Sequence, residues 1–303
     1  SHRMEVNVAG PRIEQYWAPD LWATLPYTRD EEYIEHYREL YTDAVRRMSR
    51  THRPLACEVS GGLDSSAVFC MAEHLRRSDK LLAPAIDGYT LAFTDDSDAN
   101  ELAYARIVGD YLGVPIHEIP PTFPPLDWYA DSARRYREFP GFPNGSMSIG
   151  LQQAAARKSR VLLTGEWGDA LLQGSRGYYA EELAQRNWRR LYDSFKIDVS
   201  TAGAREATGW LLRHGAIPLL PPAIHQGLRQ VVRRIRRSET PDALYWLSPA
   251  MHQAIEVRRE RFRPQHAPQV RRFCQRDLLD ILHSAFTAQV MERIERQGAH
   301  AGL

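Results

Sequence analysis

The stretch that most constrains this chain is Leu55-Ala56-Cys57-Glu58-Val59-Ser60-Gly61-Gly62-Leu63-Asp64-Ser65-Ser66, which continues into the apolar-rich run Ala67 to Leu75. It reads as a short buried strand, a glycine turn, and a helix whose first turn is dense in hydroxyls. The paired glycines let the backbone turn sharply and approach a ligand, and the helix start leaves unpaired N–H groups with partial positive charge. Such a turn cradles an anion. Ser60, Ser65 and Ser66 add hydroxyl donors. Asp64 sets a carboxylate beside that anion, and a divalent cation between the two removes the repulsion, so the pattern points to phosphate with magnesium. A turn that merely uses glycine accounts for Gly61-Gly62 but not for all seven residues from Ser60 to Ser66.

The loop has neither the lysine of a Walker A motif nor the spacing of a dinucleotide fingerprint. It resembles instead the pyrophosphate loop of the ATP pyrophosphatase (PP-loop) superfamily, and the full string is most similar to the asparagine synthetase family. A second string carries the resemblance further. Arg160-Val161-Leu162-Leu163-Thr164-Gly165-Glu166-Trp167-Gly168-Asp169-Ala170-Leu171 is an apolar strand ending in a glycine-bounded turn, at the sheet edge where open α/β folds bind ligands. The match to the family string holds at Thr164, Gly165, Glu166, Asp169, Leu171 and Gly174, while Trp167 stands in place of a glycine and Ala170 in place of an acid. Tyr104-Ala105-Arg106 and Leu112-Gly113 match too, after the acidic run Asp95 to Glu101.

The resemblance implies an α/β fold, a parallel Rossmann-like sheet with helices on both faces and a helical C-terminal region. It further implies ATP held by Val59, Ser60, Gly61, Gly62, Leu63, Asp64, Ser65 and Ser66 together with Thr164 and Gly165, Mg2+ held by Asp64 and Asp169, and Glu166 as the acid/base residue. The reaction implied is adenylation of a carboxylate with release of pyrophosphate, then transfer to an amine. By this reading residues 1–15 are a tag remnant and linker, 16–180 the ATP-pyrophosphatase core, and 181–303 a helical part of the same domain. Periodicity predicts a helix over 30–50, with Tyr33, Ile34, Tyr37, Leu40, Tyr41, Val45 and Met48 as a core face.

A formal net charge of +1 gives no global push toward nucleic acid, and no apolar run approaches the ~18 residues of a membrane span, so a cytoplasmic location is expected. Absence of a Cys-x-x-Cys pair argues against tRNA thiolation. Cys57, Cys70 and Cys274 are too few and too scattered for a disulfide framework or a zinc site, and His117 is read as structural. A run with five arginines and no acid, Arg229 to Arg237, reads first as a solvated amphipathic helix, then as the dock of an acidic peptide or a partner protein, and less as an RNA contact because aromatic interleaving is missing.

Three acceptor chemistries fit the family: asparagine synthesis, β-lactam closure and lasso peptide cyclisation. No cysteine that could open a glutaminase domain precedes Cys57, and no lysine follows Lys196 to serve as the family's catalytic lysine. The expectation is a synthetase domain that is truncated or completed by a partner protein or domain. Together with the aromatic, nearly neutral loop from Phe139 to Ser146, this favours cyclisation of a peptide or specialised metabolite. A nucleotide-binding subunit without catalysis is the alternative of another class.

Overall fold

The computed structural model describes residues 2–8, 10–20, 22–93, 100–136, 146–169, 174–221, 224, 248–261, 272–282 and 285–303. Its contacts divide the chain into two units, Leu25–Gln173 with Ile281–Leu303, and Ser1–Thr24 with Gly174–Asp280. The chain opens with an antiparallel hairpin of β1 (His2–Asn7) and β2 (Gly10–Gln15), paired from His2↔Gln15 to Asn7↔Gly10.

The first unit is the α/β layer that the sequence predicts. After α1 (Asp30–Met48) come β3 (Leu55–Glu58), α2 (Leu63–Arg77), β4 (Ile86–Leu91), α3 (Leu102–Leu112), β5 (Ile116–Ile119), α4 (Leu126–Tyr136), α5 (Ile149–Ala156) and β6 (Leu162–Leu163). Among the described residues the four later strands form one parallel sheet in the order β5-β4-β3-β6. β3 therefore lies inside the sheet, with a neighbour on each edge. Successive strand residues point to opposite faces. Leu55, Cys57 and Val59 face one side and pack with Phe69, Ala72 and Leu75 of α2 and Ala105 and Leu112 of α3. Ala56 faces the other, with Tyr89 of β4 and Leu151 and Ala155 of α5. Gly113 ends α3 in the left-handed region at φ +68, where glycine carries no side-chain penalty.

α1 departs from expectation. Tyr41 packs against the core and Val45 is buried, but Tyr33, Ile34, Tyr37, Leu40 and Met48 are exposed. The sequence stripe is wider than the strip that α2 covers.

In the second unit α6 (Tyr178–Ala184), α7 (Trp188–Ala202) and α8 (Ala204–Trp210) lead into a wide π turn, Leu211–Ala216, and a 3-10 turn, Ile217–Leu219. The hydroxyls of Tyr178 and Tyr179 both donate to Asp198 Oδ2, at 2.7 and 2.8 Å, tying α6 to α7. α9 (Pro249–Arg261) and α10 (Phe273–Leu282) follow, and the backbone N–H of Cys274 donates to Glu181 of α6. The last helix, α11 (Ala285–Ala301), returns to the first unit and packs on α5, where Arg160 donates to the Gly302 carbonyl at 3.0 Å. Arg229 to Arg237, the acidic residues 95–99 and Phe139 to Gly145 lie outside the described residues. No helix among the described residues is long and apolar enough to cross a membrane.

Phe69 has no exposed surface and lies under the sheet face that carries Leu55 and Cys57. Phe69→Ala should destabilise the protein by about 3–5 kcal/mol. Urea unfolding followed by circular dichroism will measure this as a lowered midpoint.

Candidate functional site

The carboxyl end of β3 runs directly into the turn that the sequence singles out. Gly61 has φ +88, in the region L side chains avoid, and a Cβ there would lie 2.8 Å from the Ala105 backbone nitrogen and 2.9 Å from the Tyr104 carbonyl carbon. Both conformation and space require glycine. Gly62 is the N-cap of α2, in extended backbone with no side-chain cap, so the first N–H groups of that helix face outward without intrahelical partners.

The three serines divide their work. Ser60 Oγ lies 2.9 Å from Ser65 Oγ and accepts the Gly62 N–H at 3.2 Å, while Ser65 Oγ accepts the Ser60 N–H at 3.1 Å. These two hydroxyls hold the loop in shape. Ser66 Oγ is buried and has no hydrogen-bond partner. An unsatisfied buried hydroxyl is costly unless a ligand or water completes it, so the loop fits a group rich in acceptors such as phosphate.

The second loop rests on the first. Beyond β6 a turn is closed by the Gly168 N–H donating to the Gly165 carbonyl at 3.2 Å. A Cβ on Gly165 would lie 2.5 Å from the Ser65 nitrogen, and one on Gly168 would lie 2.5 and 2.7 Å from the two carboxylate oxygens of Asp64. Gly165, set against backbone, cannot carry a side chain while the loops touch, and a side chain at Gly168 would have to push the Asp64 carboxylate aside. This contact sets Asp169, which is exposed, one residue from the group against Asp64, and it also carries Glu166, exposed at the turn's crown. The sequence-predicted residues from Val59 to Ser66 and from Thr164 to Asp169 are thus brought together in one unit, while Ala170 and Leu171 lie outside the described residues. Gly174 belongs to the other unit.

Among the described residues no group of three or more His, Cys, Asp or Glu side chains converges to hold a metal. Two carboxylates completed by phosphate oxygens are a donor set that magnesium takes in nucleotide sites, and Asp64 and Asp169, on the two touching turns, are the residues that would supply it. The His117 ring lies tilted against Tyr89 at 4.8 Å between centroids, and its Nε2 lies 3.7 Å from Asp87.

Trp167 occupies φ +70, an uncommon and strained conformation for a bulky residue, and its buried indole N–H has no hydrogen-bond partner. Glu58 is the residue that sequence reasoning missed. Burial first, and the charge of Glu166 second, raise its carboxyl to about 7. The available signal was a lone acid closing an otherwise apolar strand.

This α/β protein carries a glycine turn from strand to helix, with a second acid-bearing turn seated on that helix, at the carboxyl edge where open α/β sheets bind their ligands. The asparagine synthase family matches residues 36–295, well over half of the sequence, and the chain belongs to that family. It is 32% identical over 208 residues to Amidase chry2 of Gibberella zeae, covering 63% of this chain and 31% of that protein. It is 30% identical over 166 residues to Amidase chyE of Penicillium rubens, covering 52% and 25%. It is also 30% identical over 184 residues to the glutamine-hydrolysing asparagine synthetase of Rattus norvegicus, covering 54% and 31%. The chain thus spans about a quarter to a third of the length of these curated relatives.

Two outcomes are expected. Gly168→Ala should weaken binding of ATP with magnesium at least about tenfold by driving a methyl into Asp64, as read by titration calorimetry, with little change in the far-ultraviolet spectrum. Glu58 should make stability fall with rising pH. Its proton is bound more tightly in the folded state, so its contribution is full below the ordinary carboxylate range and is lost as pH rises through about 7. Glu58→Gln should therefore gain stability relative to the unaltered protein between pH 5 and pH 8, on the order of 2–3 kcal/mol, measured by unfolding at both pH values.

Proposed function

We propose that this chain carries ATP-dependent amide formation: a substrate carboxylate attacks the α-phosphorus of ATP, pyrophosphate leaves, and an amine displaces AMP from the acyl adenylate. Dividing one hard displacement into two easier ones is the chemical gain. The observation that carries the reading is the seating of the Gly165–Gly168 turn on the first turn of α2, in a chain of the asparagine synthase family. The residues from Val59 to Ser66, with Thr164 and Gly165, hold the phosphates of ATP through backbone N–H groups and the free Ser66 hydroxyl. Asp64 and Asp169 would hold Mg2+, which supplies charge neutralisation on the phosphate oxygens. Glu166, on the exposed crown of the second turn, accepts the proton that the amine loses as its nitrogen bonds to the acyl carbon.

The acceptor we assign is the amine of a peptide or specialised metabolite, with ring closure of the lasso peptide type as the leading case. The aromatic, nearly neutral sequence from Phe139 to Ser146 and the arginine run from Arg229 to Arg237 support an acceptor larger than ammonia. A second reading, asparagine synthesis, is favoured by the 30% identity to the rat asparagine synthetase.

Pyrophosphate release from ATP and magnesium should be measured with L-aspartate, with L-aspartate plus ammonia, and with an extract containing candidate precursor peptides. Release should require a carboxylate substrate and fall at least about 100-fold in Asp64→Ala. Glu166→Gln should keep ATP–pyrophosphate exchange while losing about 100-fold in amide formation. ATP binding without release on any substrate would support a nucleotide-binding subunit instead.

A further inference from the structure

We propose that the N-terminal hairpin is a self-recognition edge: β1 pairs with β1 of a second copy of this chain, antiparallel about a two-fold axis through Met4. The inference does not depend on the reaction assigned above.

β1 (His2–Asn7) and β2 (Gly10–Gln15) form a sheet of their own, with no further strand beside them among the described residues. A hairpin alone is marginal in water and gains from added strands. The side chains of this one sort cleanly. Arg3 lies opposite Glu14 and Glu5 opposite Arg12 on one face, while Met4 lies opposite Ile13 and Val6 opposite Pro11 on the other. Arg3 and Glu14 are ion-paired at 2.8 Å, and Met4, Val6 and Ile13 are exposed.

Backbone chemistry separates the two edges. Pro11 has no N–H, so it and Val6 cannot be a pair that exchanges both backbone hydrogen bonds. Bonded and non-bonded pairs alternate along an antiparallel ladder, which makes Met4↔Ile13 and His2↔Gln15 non-bonded pairs too. The N–H and C=O groups of His2, Met4 and Val6 therefore point out of the hairpin, along the free edge of β1. On β2 the outward positions fall to Pro11, Ile13 and Gln15, and a proline there removes a donor, a common guard of edge strands. The β1 edge is open, and the β2 edge is blunted.

In the proposed pairing Met4 meets the partner's Met4 and His2 meets the partner's Val6, each pair exchanging both backbone bonds. Arg3 then falls opposite the partner's Glu5, and Glu5 opposite the partner's Arg3. Across both hairpins the charges alternate in sign: Glu14, Arg3, the partner's Glu5, the partner's Arg12. Other registers lose this match. A slip of two residues sets Arg3 on the partner's Arg3 in one direction, or Glu5 on the partner's Glu5 in the other, and an in-register parallel pair sets each charge beside its own kind. A slip of one residue sets charged side chains opposite apolar ones. A strand that complements itself in one register only has the chemistry of an isologous interface, in which both subunits use the same patch. The charge pattern thus selects a second copy as the occupant of this edge.

Sedimentation velocity of the full chain tests this, and should show a monomer–dimer equilibrium over about 1–100 µM. Met4→Pro removes the outward N–H at the axis and leaves the hairpin's own bonds in place, so it should raise the dimer dissociation constant at least about tenfold. Two double variants keep the ion pairs within the hairpin while giving β1 a single sign of charge: Arg3→Glu with Glu14→Arg is acidic, and Glu5→Arg with Arg12→Glu is basic. Each should be monomeric by itself, and an equimolar mixture of the two should sediment as a dimer. A monomer throughout the concentration range, a dimer that survives Met4→Pro, or a mixture that stays monomeric would each overturn the proposal.

Discussion

Two glycines, one packed against backbone and one against a carboxylate, hold this site together. Gly165 lies on the backbone of Ser65 and Gly168 on the carboxylate of Asp64, so a turn at the end of one strand is pressed onto the helix that follows the neighbouring strand. The parallel pairing of β3 with β6 brings both turns to the same edge, because parallel strands end on the same side. The close packing then reduces their separation from a strand spacing to van der Waals contact. Everything acidic in the site, from Asp64 to Glu166 and Asp169, takes its place from that contact.

The site sets acidic side chains beside an open helix start. Asp64 and Asp169 are carried by two turns in contact, and Glu58, half-buried at the end of β3, lies under the influence of Glu166. What offsets this is the open N-terminus of α2, with its unsatisfied N–H groups and the unpartnered Ser66 hydroxyl. An anion alone would relieve the helix but not the carboxylates, and a cation alone would do the reverse. A phosphate with a divalent cation would satisfy both, which is how the loop's donor set supports the nucleotide proposed for it.

Much of this was legible in the sequence because it is local. The strand, the glycine turn and the helix of residues 55–77 are written in consecutive residues, and so is the turn after Leu163, so each motif could be read by itself. Their contact was not legible, since it depends on strand order, and the order β4-β3-β6 cannot be read from spacing alone. The bond between the Ser60 and Ser65 hydroxyls was hidden for a similar reason, since it depends on how the turn folds back. Glu58 was missed because it reads as the tail of an apolar strand, and its character comes from Glu166, more than 100 residues away in sequence. On α1 the periodicity found the helix and overstated its buried face, because a sequence stripe shows which residues could be covered and not how wide the covering element is.

Trp167 shows the strength of the packing from the opposite direction. At φ +70 a left-handed backbone costs an L residue roughly 1–2 kcal/mol, and glycine would adopt it freely. Local preference therefore opposes the turn, and the buried indole N–H adds a further unmet donor. The strained residue lies between Gly165, packed on Ser65, and Gly168, packed on Asp64, so the contact on which the site depends brackets it. Strain kept at a site by surrounding structure is a mark of function, since nothing in stability alone would favour it. Here it coincides with the position at which this chain departs from the glycine of its family's pattern, on the same turn that presents Glu166.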